Sequence, residues 1–161
     1  MLFGIIPLNF FKLKNNFLKI PFAKVAADTG VMGGNISHEY HFLTNIGEDQ
    51  ILECKKCSAM FNRELCEKNI CKNCKENQLL KHNGIEIGHT FILEDKYTKI
   101  LKATYLNKGG KPEFLQMGCY GIGVTRLIAA SIEYLSDEKE MRWPFLLAPY
   151  QVCIIPPKVV F

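Results

Sequence analysis

A chain of 161 residues with 48% hydrophobic and 22% charged side chains is long and apolar enough to bury a core, which excludes the disordered class. Its formal net charge of +4, read as spread along the chain, permits a nucleic-acid partner without requiring one. No apolar run reaches the roughly 18 residues of a membrane helix. Seven cysteines, four of them in two C-x-x-C pairs with no secretory signal, point to a reducing compartment and to metal rather than a disulfide framework.

The opening "MLFGIIPLNFFKLKNNFLKIPF" carries its lysines behind the apolar part and contains no arginine, so it fits neither a signal nor a transit peptide. Residues 1–17 read as a divergent start, joined to a helix over 10–19 that Pro21 ends. Strands are expected at 22–28, 35–43, 49–54, 84–93 and 102–107. Turns fall at 28–30, at Gly33–Gly34 and at the "KGGK" hairpin 108–111, with a returning strand over 113–121. A helix follows over 123–135, and a buried-type strand over 151–155 closes the chain. Alternation puts Ser37, Glu39 and His41 on one face of their strand. It puts Ile87, His89 and Phe91 on the opposite face from Glu86 and Gly88. Strands in series with one strong helix give an α+β arrangement built on a largely antiparallel sheet.

Gly118, Gly121 and Gly123 spell G-x-x-G-x-G, which is not the dinucleotide order, and no Gly-Lys-Ser/Thr follows. Val124, Leu127, Ile128, Ile132 and Leu135 then form one apolar helical stripe, with Arg126 off it in the first turn. Free helix N–H groups, glycines and an arginine make a receptor for an anion. A solvated arginine beside glycines that allow close strand–helix packing fits the same residues. Cys54-x-x-Cys57 and Cys71-x-x-Cys74, 13 residues apart, supply two thiolates from each of two tight turns, a set suited to tetrahedral zinc, with Cys66 spare. Asp28-Thr29-Gly30 matches the aspartic-protease triplet, but the later apolar-apolar-Gly-Arg element of that family is missing.

"MGCYGIGVTRLIAA" resembles motif 3 of the class II aminoacyl-tRNA synthetases, in the form found in prolyl-tRNA synthetases. "ADTGVMGGNISHEYHF", "IGEDQILECKKC", "GIEIGHTFILEDKYTKILKATYLN" and "RWPFLLAPYQVCIIPPK" resemble successive blocks of that family in the same order, most closely its mitochondrial branch. The resemblance implies the second half of a class II catalytic core over 18–148: antiparallel sheet, flanking helices and a zinc-ribbon-like cysteine module at 54–74. It implies that 149–161 begin an anticodon-binding domain.

The family joins proline to ATP and passes the prolyl group to tRNA(Pro). By resemblance, Arg126 and Glu86 are the catalytic pair, Arg126 meeting the terminal phosphate of ATP and Glu86 lying near the phosphates and Mg²⁺. Gly121 and Gly123 leave room for adenine and ribose, while Gly118 serves packing. His89, Phe91 and Cys119 line the proline pocket. A homodimer, a mitochondrial matrix location (with the cytoplasm as the alternative) and no membrane association are expected with it. Nothing resembles motifs 1 and 2 or the large editing domain, so neither deacylation nor activity by this chain alone is expected. The alternative is an inactive paralogue serving as a zinc-containing tRNA-binding or scaffolding module.

Overall fold

The computed structural model describes Leu18, residues 20–66 and residues 69–157. The helix expected over 10–19 and the divergent start at 1–17 lie outside the described residues, Leu18 aside. Strands β1 (Ala23–Ala27), β2 (Ile36–Leu43), β3 (Asp49–Cys54), β4 (Met60–Asn62), β5 (Leu79–Glu94) and β8 (Met117–Ile122) form one six-stranded sheet. A separate two-stranded hairpin holds β6 (Thr104–Leu106) and β7 (Pro112–Phe114). Two α-helices are described, α1 (Lys96–Leu101) and α2 (Val124–Leu135). The mixed α+β class expected from the sequence is therefore observed.

Pairing is antiparallel throughout except for one parallel bridge, Ala26 with Phe61, between β1 and β4. Strand β5 organises the sheet. Its first half pairs with β3, from Leu79 opposite Cys54 to Gly84 opposite Asp49. Its second half lies between β2 and β8. Because β2 also pairs with β1, the connections β2–β1–β4–β3–β5–β2 close on themselves and the sheet curls. Curling needs close backbone approach, and a Cβ on Gly84 would meet Ile51 Cδ1 at 2.6 Å and His41 Cβ at 3.1 Å. At the turn into β2, Gly34 has φ +94° and no room for a side chain against the Ile92 carbonyl, at 2.3 Å.

One face of the sheet carries the main core: Leu18, Ile20, Tyr40, Phe42 and Ile87, closed by Ala130, Leu127 and Leu135 of α2. The inner face of the curl holds a smaller cluster of Ala23, Val25 and Ile51. Buried side chains of this size each contribute roughly 1.5–3 kcal/mol when removed from water.

Several expected elements differ. The strand expected over 113–121 is two strands, since Leu115 and Gln116 separate β7, which pairs with β6, from β8, which pairs with β5. Strand β5 begins five residues earlier than alternation indicates, because β3 offers it partners. Strand β4 and helix α1 were not expected at all. No strand forms at 151–155, where Val152, Ile154 and Ile155 are 76–87% exposed and no neighbouring strand offers them hydrogen bonds. The α2 stripe also rotates: Leu127, Ala130 and Leu135 face the core while Val124 is 67% exposed.

Candidate active site

Register decides which polar side chains meet. Opposite β2, Tyr40 pairs with Gly88 but His41 pairs with Glu86, so Ile87 is the extra residue of a β-bulge. The bulge changes the face of everything before it. Ile87 turns into the main core at 2% exposure, and Glu86 joins the face that carries His89 and Phe91. Strict alternation had put Glu86 and His89 on opposite faces. In the structure Glu86 Oε1 lies 3.4 Å from His89 Nδ1.

Strand β8 adds Cys119 opposite Phe91 and Gly121 opposite His89 on the same face. A Cβ at Gly121 would meet nothing nearer than the His89 carbonyl oxygen at 4.0 Å, so the surface above it is open. Gly118 differs, since Tyr120 folds over it and a Cβ there would meet the phenol oxygen at 2.0 Å. Gly123 is the residue before α2, and its N–H donates to the Ile87 carbonyl at 3.1 Å. The bulge thus also anchors the helix start. From the first turn Arg126 reaches back to Glu86, with its guanidinium 3.5 Å from Oε2 and 3.4 Å from the backbone oxygen. The α2 first turn holds no acidic residue and no side-chain cap, so its N–H groups remain available to an anion. Beside this pair opens a cleft of ≈ 490 Å³ lined by Ile46, Glu48, Asp49, Gly84, Ile85, Glu86 and Arg126.

Residues that the sequence did not mark support the site from β2 and β4. The Ser37 hydroxyl lies 2.6 Å from His89 Nε2, and His89 stacks on Phe91 with centroids 4.0 Å apart. Glu39 Oε2 receives hydrogen bonds from His41 Nε2 at 2.9 Å and Asn62 Nδ2 at 3.0 Å. Its other oxygen lies 3.9 Å from His89 Nδ1. Burial pushes the Glu39 carboxyl up, but the His41 and Asn62 hydrogen bonds and the charge of both imidazoles outweigh it and hold it below its ordinary 4.5. His41 is fully buried, with Nδ1 unbonded 3.7 Å from Asp49 Oδ2. Three polar side chains alternating on one strand face were the available signal, and a face that polar is unusual for a buried strand.

The four paired cysteines lie elsewhere, where β3 ends and β5 begins. Their sulfurs fall within 4.8 Å of one another, with Cys54–Cys74 at 3.5 Å and Cys57–Cys71 at 3.6 Å. Tetrahedral zinc with bonds of about 2.3 Å separates its sulfurs by about 3.8 Å, so the donor set fits that ion. Burial opposes a thiolate at Cys71, but the Cys74 and Asn73 N–H groups and the Cys57 thiol lower it to about 6. An N–H from Ala59 favours a thiolate at Cys57, yet desolvation and the three surrounding sulfurs push that thiol up to about 12. One negative charge is welcome there and a second is resisted, which is the condition a cation relieves. Cys66 stands apart, bonded to the Ile70 carbonyl at 3.1 Å.

No protein-family model matches the chain. Individual proteins do. It is 51% identical over 146 residues to the probable mitochondrial proline–tRNA ligase of Homo sapiens, covering 89% of this chain and 30% of that protein. It is 42% identical over 143 residues to the probable mitochondrial proline–tRNA ligase of Schizosaccharomyces pombe, covering 85% of this chain and 33% of that protein. The matched stretch belongs to the proline–tRNA ligase family. The bacterial proline–tRNA ligase of Pelagibacter ubique is 36% identical, covering 91% of this chain and 40% of that protein. The chain thus spans about a third of the length of these aminoacyl-tRNA ligase relatives. Among the described residues no helix is long and apolar enough to cross a membrane.

Proposed function

We propose that these residues form the terminal-phosphate and amino-acid side of a class II site that activates proline with ATP and transfers it to tRNA(Pro). The observation that carries this reading is the bulge at Ile87, which puts the Glu86–Arg126 pair on the same face as His89, Phe91, Cys119 and Gly121. A carboxylate attacking a phosphoanhydride brings two anions together, so the site must supply positive charge and alignment. Arg126 supplies charge at the helix start, where the N–H groups of α2 add to it. Glu86 holds that guanidinium in place and offers the hard oxygen that Mg²⁺ prefers; bound there, the ion would neutralise phosphate charge.

The open backbone at Gly121 leaves space for the nucleotide. His89 and Phe91 give the flat apolar wall that a pyrrolidine ring needs, and Cys119 closes it. Ser37 and Glu39 fix the ring of His89 from the other side. In the cysteine module, Cys54, Cys57, Cys71 and Cys74 would hold a structural zinc ion, with no part in the chemistry. A mitochondrial matrix location and a homodimer complete the proposal, the first supported by the names of the relatives.

The test is proline-dependent ATP–pyrophosphate exchange by an enzyme that contains these residues together with the rest of the length its relatives have. Arg126→Ala should lower exchange by about 100-fold or more, the size seen when one preorganised charge-stabilising group is removed. Its melting temperature should stay unchanged, since the side chain is 60% exposed. Unchanged exchange at equal stability would overturn the assignment.

A further inference from the structure

The basic charge of this protein is not spread along the chain. Residues 54–75 hold six basic side chains (Lys55, Lys56, Arg63, Lys68, Lys72 and Lys75) against two acidic ones, Glu64 and Glu67. These carry the entire net charge of +4, and the rest of the chain, with fourteen of each sign, is neutral. The fold then concentrates it further. Lys55 and Lys56 lie in the turn between Cys54 and Cys57, while Lys72 lies between Cys71 and Cys74 and Lys75 follows directly. Sulfurs within 4.8 Å of one another bring these two turns side by side. All four lysines are exposed, and among the described residues none of them is in an ion pair, whereas Lys99 holds Asp95 at 2.9 Å.

Two ordinary reasons for such charge fail. Four thiolates with one divalent cation carry a net charge of −2, which the +4 of residues 54–75 overcompensates. Service to the Glu86–Arg126 cleft fails on distance. Leu79, level with Cys54, is seven residues from Glu86 along β5. At about 3.3 Å per residue that is roughly 23 Å. The Debye length at physiological salt is about 8 Å, so this charge is screened from the cleft.

We propose that the lysine rim of the cysteine module is a contact surface for the sugar–phosphate backbone of RNA, a reading that rests on tRNA being the macromolecular substrate. Lysine ammonium groups are point charges suited to phosphate oxygens. Around them stand Ser58, Asn73, Asn77 and Gln78, side chains able to donate hydrogen bonds to phosphate and sugar, with the half-buried Glu76 the one carboxylate next to Lys75. The module's one aromatic side chain, Phe61, is 3% exposed, so no base stacks there and the contact is indifferent to sequence. An anionic membrane would call for an amphipathic helix, which the described part of the module lacks.

The experiment titrates the zinc-loaded 161-residue chain with an unmodified tRNA transcript over a series of salt concentrations. Lys55, Lys56, Lys72 and Lys75 are changed together to Gln, and in a control Lys102, Lys108, Lys111 and Lys139 are changed likewise. A companion variant changes the four rim lysines to Arg. Each phosphate contact steepens the log–log salt slope by about 0.7–0.9, so the rim Gln variant should be shallower by about 3 and bind at least ~10-fold more weakly. The control and the Arg variant should bind like the original, all with unchanged zinc content. Equal binding by the rim Gln variant, equal weakening in the control, or no binding by the unaltered chain each overturns the proposal. ATP–pyrophosphate exchange involves no tRNA, so any of these results leaves the reading of the active site standing.

Discussion

Glu39 shows how one half-buried carboxylate ties two histidines into the candidate site. Its hydrogen bonds from His41 and Asn62 hold its folded-state pKa below the ordinary 4.5. A lowered carboxyl pKa contributes stability that is fully present above 4.5 and is lost as pH falls through the folded value. Thermal melts between pH ~6 and ~3 should therefore show a steeper acid loss for the original chain than for Glu39→Gln. Parallel profiles would show that Glu39 has no such role. Ser37→Ala removes the hydroxyl that touches His89 Nε2 at 2.6 Å. In the proposed enzyme it should raise the KM for proline about 10-fold with less effect on kcat, and cost about 1 kcal/mol of stability by denaturant unfolding. None of this pairing was legible from spacing. The face shared by Ser37, Glu39 and His41 was visible, but its partners Asn62 and His89 came from strands 23 to 52 residues away.

Among the elements, the bulge at Ile87 has the largest consequences. It buries an isoleucine in the main core, turns Glu86 toward His89, and offers the carbonyl that receives Gly123 at the start of α2. Ile87→Ala should cost about 2–5 kcal/mol by the usual transfer and cavity terms, read from urea unfolding. It should also weaken proline-dependent exchange in the proposed enzyme, because Glu86 sits on the same distorted segment. Exchange unchanged despite lost stability would separate the core role from the site role. Strands β2 and β3 were readable from alternation within a residue, as was α2 from its apolar stripe. Strand β4 escaped because three residues are too short for a periodic signal, and α1 because six residues are. The segment at 151–155 shows the converse error: its apolar composition suits a strand, but a strand also needs a neighbour.

For the whole molecule, the cysteine module sits at the start of β5 and the candidate site in its second half, joined by β4, which carries Asn62 to Glu39. Stripping the proposed zinc with a chelator should expose the amides of β3, β4 and the first half of β5 to hydrogen exchange, while the pairing of β2, β5 and β8 stays protected. Uniform loss of protection would mean that the two regions unfold as one unit. The sequence by itself determined the mixed class, most strands, the cysteine quartet and the resemblance to a proline–tRNA ligase, because periodicity, ligand spacing and motif order are local properties. The tertiary structure alone decided that Glu86 shares a face with His89, that Glu39 links His41 and Asn62, and that the basic turns stand side by side. Those facts depend on register and on contacts between distant strands, and a one-residue shift in register moves a side chain to the other face of a sheet.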